Sequence, residues 1–209
     1  MESFTCSKFP SCYSLAIIIT LLYFCTTTTC LPTRLLVQQS PVKSNSSSTE
    51  FIKTSCRVTL YPDLCYNTLS SYASTIQTNP TELANAALSV SLNEAKSTSA
   101  LVLKLSKGLE LRPREASAMK DCVENTRDSV DELQQSLQAM KDLKGPEFEF
   151  KINDLQTWVS AALTNEDTCM DNFEGNGVNG KVKDTIRGRI VRASQLISNA
   201  LALINQLNQ

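Results

Sequence analysis

The chain has 209 residues, with 20 basic and 21 acidic side chains, no histidine and eight cysteines. A net charge of -1 provides no bulk attraction for DNA or RNA, so nucleic acid is not an expected partner. Without histidine, the chain lacks the commonest general base and the commonest zinc ligand. Few glycines, prolines and aromatic residues disfavour an all-β sandwich and favour long helices.

Residues 1–30 have the pattern of a secretory signal peptide. Lys8 supplies a positive charge, residues 13–24 form an apolar run, and small residues follow up to Cys30. The run is shorter than the roughly 20 apolar residues that a membrane span needs. An uncleaved N-terminal anchor is the alternative. We predict cleavage near Cys30 and export of the chain. The C-terminal residues are not a hydrophobic tail, so no membrane attachment is expected afterwards.

Residues 31–49 form a polar segment that follows the predicted cleavage site. They are rich in serine, glutamine and proline and show no hydrophobic period, which predicts a disordered lead-in. Asn45 begins an Asn-Ser-Ser sequon within this segment. Because an exposed sequon in an exported chain is a glycosylation acceptor, we predict Asn45 as a glycosylation site.

Residues 50–79 are predicted to form an N-terminal helical hairpin. Two short segments with a helical period, 51–56 and 62–76, flank a turn centred on Pro62. Helices of this length are too short to persist alone in water, so the hairpin needs a covalent or packing constraint.

Residues 80–207 are predicted to form a bundle of four long helices. Breaks near Arg114, at Gly145-Pro146 and at 175–177 separate four segments with apolar residues three and four apart. The row on the third segment comprises Phe148, Ile152, Leu155, Val159, Ala162, Cys169 and Phe173. Long helices joined by short loops pack as antiparallel neighbours. The predicted fold is therefore all-α, an up-down-up-down four-helix bundle.

Four cysteines remain after signal cleavage, namely Cys56, Cys65, Cys122 and Cys169. An even set in an exported chain predicts two disulfides, for which three pairings are possible. Cys122 precedes Gly145 by 23 residues, and Cys169 follows Pro146 by 23 residues. Antiparallel helices bring such positions to the same height, so we predict the pairs Cys122–Cys169 and Cys56–Cys65.

Residues with the chemistry of an active site are scarce. Without histidine there is no Ser-His or Cys-His pair, and the glycines at 175, 177 and 180 link two helices instead of a strand and a helix. The mature cysteines are not spaced as metal ligands. No enzymatic activity, metal or cofactor is expected.

Trp158, the one tryptophan, lies beside the apolar row and is predicted to pack there.

Acidic residues form a stripe on the second long helix. Glu124, Asp128 and Asp131 are spaced four and three apart and fall on the side away from the apolar row. On the third helix, Thr168 and Asp171 lie near the C-terminal end, where an acidic side chain opposes the helix dipole. From spacing alone, a solvated helix face is the favoured interpretation, and a surface for a cationic partner is the alternative.

Residues 156–169 (QTWVSAALTNEDTC), followed by Asp171 and Phe173, resemble the third-helix motif of plant pectin methylesterase inhibitors. The cysteine pattern and the order of signal peptide, hairpin and bundle fit the same pectin methylesterase/invertase inhibitor family. The resemblance extends over about 51–207 and implies a four-helix bundle with an N-terminal helical hairpin. It also implies a secreted, monomeric inhibitor of the apoplast or cell wall.

The resemblance further implies how such a protein binds its target. Inhibitors of this branch form one-to-one complexes with pectin methylesterase and lie across its pectin-binding cleft. Their polar contacts come from acidic residues two, six and nine positions after the second-helix cysteine and from residues flanking the third-helix cysteine. The matching positions, all acidic or hydroxyl residues here, are Glu124, Asp128, Asp131, Thr168 and Asp171.

Two alternatives remain open at this stage. Invertase inhibitors of the family resemble one another in a Pro-Lys-Phe tripeptide before the third helix, where this chain has Pro146-Glu147-Phe148. The reversed charge at Glu147 argues against inhibition of cell-wall or vacuolar invertase. A non-inhibitory wall or signalling module with the same bundle is the other alternative.

Overall fold

The computed structural model describes residues 43–108, 110–174 and 180–208, and these residues contain helices and no strand. The predicted signal peptide, residues 1–30, lies outside the described residues. The helices are α1 (Lys43–Cys56), α2 (Pro62–Leu69), α3 (Ala73–Ile76), α4 (Pro80–Gly108), α5 (Pro113–Lys141), α6 (Phe148–Glu174) and α7 (Lys181–Asn205). Short 3-10 turns follow α2 at Ser70–Tyr72 and α7 at Gln206–Asn208.

Helices α4 to α7 form the predicted up-down-up-down bundle, which is confirmed. Each helix packs against its neighbour in sequence, and α7 packs back on α4. Proline stands at the first position of both α4 and α5, where its missing N–H costs no helical hydrogen bond. Gly145 turns the chain between α5 and α6 with a φ of +83°, a conformation that glycine adopts most easily. At ~1.5 Å per residue, these helices extend for about 40 Å.

The N-terminal hairpin closes one end of the bundle. The Cys56–Cys65 disulfide joins α1 to α2, and Asn199 of α7 clamps the backbone of Tyr61 between them. The Asn199 side chain donates to the Tyr61 carbonyl at 2.9 Å and accepts from the Tyr61 N–H at 3.1 Å. The single helix predicted over 62–76 is interrupted by the Ser70–Tyr72 turn, which lies between the buried Leu69 and Ala73. A 3-10 turn has fewer residues per turn than an α-helix, so it changes the direction in which the following side chains point.

The lead-in predicted as disordered over 31–49 is helical from Lys43 onward. Residues 43–49 form the first two turns of α1, although serine and threonine are weak helix formers. Tertiary packing outweighs this propensity, since Ser48 is buried and Ile52 lies in the core one turn later. The backbone of Asn45 belongs to this helix, and residues 31–42 lie outside the described part of the chain.

The core consists of two apolar clusters stacked along the bundle. The larger cluster lies at the hairpin end and includes Leu133, Ala162 and Ile197. The smaller cluster surrounds the Cys122–Cys169 disulfide. Every described member of the predicted apolar rows is buried or half-buried. No helix among the described residues combines the length and apolar character that spanning a bilayer requires.

Candidate functional site

The acidic stripe, defined as Glu124, Asp128 and Asp131, lies on the outer side of α5. All three side chains are exposed, while the intervening Thr126 and Ser129 are buried. Asp131 accepts a hydrogen bond of 3.2 Å from the Gln134 amide. The helix therefore presents three carboxylates to solvent on one side and its core residues on the other.

Thr168 and Asp171 are exposed near the C-terminal end of α6 and flank the buried Cys169. The disulfide from Cys169 to Cys122 holds α6 against α5 with the two Cα atoms 4.3 Å apart. The hydroxyl of Thr168 donates to the Thr164 carbonyl at 2.8 Å, which leaves its oxygen available as an acceptor.

The five predicted contact residues thus belong to two adjacent helices held together by the Cys122–Cys169 disulfide. The disulfide places Cys122 and Cys169 at the same level along the bundle axis. Because α5 and α6 are antiparallel, this fixes the level of every other residue on one helix relative to the other. At ~1.5 Å per residue, the acidic stripe and the two α6 residues extend over about 16 Å of the bundle axis. The arrangement supplies hydrogen-bond acceptors and negative charge, which suits a cationic protein surface.

Sequence reasoning did not single out Glu166, which is fully buried on α6. Its Oε1 accepts a hydrogen bond of 2.9 Å from the Ser129 hydroxyl of α5, and its Oε2 has no partner. Burial, followed by the negative charges of Asp167 and Glu94, raises the pKa of the Glu166 carboxyl to about 8, against the lowering effect of Ser129. The carboxyl is therefore protonated at neutral and acidic pH.

Glu166 belongs to a polar layer that separates the two apolar clusters. The layer consists of Thr98 on α4, Thr126 and Ser129 on α5, and Glu166 on α6, all fully buried. On each helix these residues lie between members of the larger and the smaller cluster. The sequence signal for Glu166 was a gap in the apolar row of the third long helix, between Ala162 and Cys169, which Glu166 fills at helical spacing.

A second polar contact crosses between α5 and α6 close to the layer. The Asn165 amide of α6 donates to Glu132 of α5 at 3.0 Å. Burial raises the pKa of the Glu132 carboxyl, the Asn165 hydrogen bond lowers it, and the nearby Asp128 and Asp131 raise it further. The side chains beneath the acidic stripe are therefore tied to the neighbouring helix.

Two arginines of α7 contact one carboxylate of α4. Arg189 contacts Glu94 at 3.1 Å, and Arg192 contacts the same carboxylate at 3.7 Å.

Among the residues that the structure describes, no cluster of three or more acidic or cysteine side chains is arranged to hold a metal ion. The acidic stripe is thus a linear surface of separated carboxylates.

Trp158 is half-buried, so the predicted packing role accounts for only part of its surface. Its remaining surface lines a groove of about 490 Å³ between the outer sides of α5 and α6. The groove also includes Gln135, Gln138 and Asp154 and is referred to below as the α5–α6 groove.

Comparison with known proteins identifies similar sequences over most of the chain. The family model described as plant invertase/pectin methylesterase inhibitor matches residues 50–203. A carrot (Daucus carota) protein named 21 kDa protein is 46% identical over 165 residues, which covers 78% of this chain and 86% of that protein. Pectinesterase inhibitor 10 of Arabidopsis thaliana is 48% identical over 169 residues, which covers 79% of this chain and 54% of that protein.

The fold also matches a solved structure. The crystal structure of a mutant form of a pectin methylesterase inhibitor from Arabidopsis superposes with a TM-score of 0.61 at 21% sequence identity. The match covers 74% of this chain and 95% of the other chain. At 21% sequence identity, this structural similarity establishes a shared fold and nothing more.

Proposed function

Because this chain belongs to the plant invertase/pectin methylesterase inhibitor family, we propose that it is a secreted inhibitor of pectin methylesterase. It binds the enzyme one-to-one across the pectin-binding cleft and so restrains de-esterification of cell-wall pectin. The observation that carries this proposal is the exposure of all five contact positions on adjacent, disulfide-linked helices. These positions are Glu124, Asp128, Asp131, Thr168 and Asp171.

The physical basis of inhibition is competition for a cleft suited to a polyanion. Pectin carries carboxylates, so a groove that binds it presents cations and hydrogen-bond donors. The acidic stripe offers a fixed row of carboxylates to the same groups. A bundle closed by a disulfide loses little conformational freedom on binding, which limits the entropic cost of association. The family consists of non-catalytic inhibitors, so the chain is not an enzyme.

Three features support export to the apoplast. Relatives in the family are extracellular inhibitors, and residues 1–30 carry the pattern of a signal peptide. Two disulfides join all four cysteines of the mature chain, which suits an oxidising compartment.

Invertase inhibition is the second candidate, since the family model includes both kinds of inhibitor. Glu147 is exposed in the turn before α6, where its carboxylate lies 3.8 Å from the ammonium of Lys151. A negative charge at this position differs from the lysine of the invertase-inhibitor tripeptide. We therefore favour the esterase as the target.

A paired inhibition assay tests the proposal. Purified mature protein is mixed in increasing amounts with plant pectin methylesterases and, separately, with cell-wall and vacuolar invertases. We expect stoichiometric loss of esterase activity, unchanged invertase activity, and co-elution of inhibitor and esterase in gel filtration. Full activity of several esterases at micromolar protein overturns the proposal. Inhibition of invertase alone assigns the chain to the other branch, and co-elution with neither enzyme supports a non-inhibitory module.

A further inference from the structure

The α5–α6 groove lies on the same outer side of α5 as the acidic stripe. Continuing from Asp131 at spacings of four and three, the outward positions are Gln135, Gln138 and Asp142, and each is exposed. Gln134 borders both features, since it lines the groove and donates to Asp131. The outer side of α5 therefore changes from separated carboxylates to amides as it enters the groove.

The groove combines one aromatic face with hydrogen-bonding groups. Trp158 of α6 is half-buried and is the one aromatic side chain among the lining residues. No hydrogen-bond partner among the described residues engages the amides of Gln135 and Gln138 or the carboxylates of Asp142 and Asp154. These four groups are therefore available to a ligand as donors and acceptors in the same groove as the indole.

The groove carries a net negative charge because two carboxylates and one ammonium line it, and that ammonium is already engaged. The ammonium of Lys151 donates to the Asp142 carbonyl at 2.9 Å and lies 3.8 Å from the Glu147 carboxylate. The carboxylates of Asp142 and Asp154 line the same space without a second cation among the lining residues. A polyanion is therefore repelled, whereas a neutral, hydroxyl-rich ligand meets acceptors for its O–H groups.

We propose that the α5–α6 groove binds a neutral pyranose oligosaccharide. The apolar C–H face of a sugar ring packs on the Trp158 indole, its hydroxyls donate to Asp142 and Asp154, and its oxygens accept from Gln135 and Gln138. A volume of about 490 Å³ lies within the range of small-ligand sites, with room for a short stretch of chain.

Methyl-esterified galacturonan is the neutral chain that we select as the principal ligand, and this choice rests on the proposed function. The methyl-esterified units of pectin are the ones on which a pectin methylesterase acts, and they carry no charge, whereas each de-esterified unit carries one carboxylate. A groove that holds the esterified form beside the acidic stripe would keep the inhibitor close to the substrate of its target. Recognition of any neutral pyranose depends on the groove alone.

Trp158 provides a direct readout because it is the only tryptophan in the sequence. Mature protein is titrated with fully methyl-esterified hexagalacturonide, with the de-esterified hexamer and with cellohexaose, while tryptophan emission is recorded. We expect saturable changes with the esterified hexamer and none with the de-esterified one. A response to cellohexaose as well supports the groove and broadens the ligand to neutral pyranose chains. No saturable change with either neutral oligosaccharide up to about 10 mM overturns the proposal, as does equal binding of the charged hexamer.

Substitutions in the groove test whether the esterified hexamer binds there. We expect Gln138→Ala and Asp154→Asn each to weaken binding of the esterified hexamer about tenfold. Gln195→Ala on α7 is the matched control, because Gln195 is not among the residues that line the groove, and it should bind like the parent protein. Calorimetry on Trp158→Phe, which retains an aromatic face, should detect weaker binding, and unchanged affinity in all three groove variants contradicts the assignment. No esterase is present, so these results are independent of the inhibition assay.

Discussion

Ser129 on α5 and Glu166 on α6 form a hydrogen bond of 2.9 Å inside the bundle, and both side chains are fully buried. The bond links the two helices that carry the proposed contact residues. Asp128 lies beside Ser129 in sequence, and Thr168 follows Glu166 by two positions, so the exposed site and the buried contact share the same helical turns. The protonation of Glu166 therefore affects the part of the fold that supports the site.

Stability should decrease as pH rises, because of Glu166. Its folded pKa, about 8, lies above the ordinary value of 4.5, so the unfolded chain releases this proton at lower pH than the folded chain does. The contribution of Glu166 to the free energy of unfolding is fully present below about pH 4.5. It is lost between about pH 4.5 and about pH 8, where the free energy of unfolding falls by up to about 1.4 kcal/mol per pH unit. Urea unfolding at intervals from pH 4.5 to 8 measures this dependence.

The variant Glu166→Gln isolates the contribution of this carboxyl. Glutamine keeps the shape and cannot ionise, so we expect its unfolding free energy to vary much less over the same pH range. Glu149→Gln, at an exposed position of α6, is the matched control and should retain the dependence of the parent protein. An equal pH dependence in Glu166→Gln and the parent would show that other groups cause it.

Charge reversal on the acidic stripe should weaken the complex with pectin methylesterase. Replacing Asp128 and Asp131 together by lysine brings like charges to a cationic cleft, and we expect the dissociation constant to rise about 100-fold. Surface plasmon resonance at two salt concentrations measures the loss and its electrostatic part.

A control for charge reversal must be exposed and unpaired. Glu94 is unsuitable, since Arg189 and Arg192 contact its carboxylate. Exposed acidic residues outside the five contact positions are available at Glu110 and Glu149. The double variant Glu110→Lys with Glu149→Lys makes the same change in net charge and should retain affinity within about threefold. If both double variants lose affinity equally, net charge is responsible and the acidic stripe is not the contact surface.

The two disulfides should contribute unequally to stability. Cys122 and Cys169 are 47 residues apart, whereas Cys56 and Cys65 are nine apart. In the chain-entropy model, the longer loop stabilises the fold by about 4 kcal/mol and the shorter by about 2.7 kcal/mol. Unfolding of the Cys122→Ser/Cys169→Ser and Cys56→Ser/Cys65→Ser double variants compares them. A larger loss from the short loop would indicate that the hairpin, rather than loop entropy, determines the effect.

Two glycines offer a comparison of backbone effects. A Cβ at Gly145 or at Gly188 meets no atom within 4 Å, so neither substitution creates a clash with a neighbouring residue. Gly145 has a φ of +83°, and alanine there should cost about 1 kcal/mol. Gly188 lies within α7, where alanine should stabilise by about 0.5–1 kcal/mol. Thermal unfolding tests both, and opposite signs are the expected result.

The predictability of the site differed between its surface and its interior. Helical spacing located the acidic stripe opposite the apolar row, because the period of an α-helix determines which residues share a side. Burial of Glu166 did not follow from spacing in the same way, since an acidic residue in a gap of an apolar row is usually placed at the surface. The groove beside Trp158 was also beyond sequence reasoning, because it depends on how two helices lie against each other.

The amino-acid sequence by itself determined the four long helices, their antiparallel order and both disulfide pairs. These features depend on local periodicity and on counting residues from a turn, so they need no knowledge of the packed structure. The tertiary structure alone decided that α1 begins at Lys43, that Asn199 clamps the hairpin, and that Ser129 meets Glu166 inside the core. Each of these involves groups far apart in sequence, whose burial and hydrogen bonding exist only after the helices have packed.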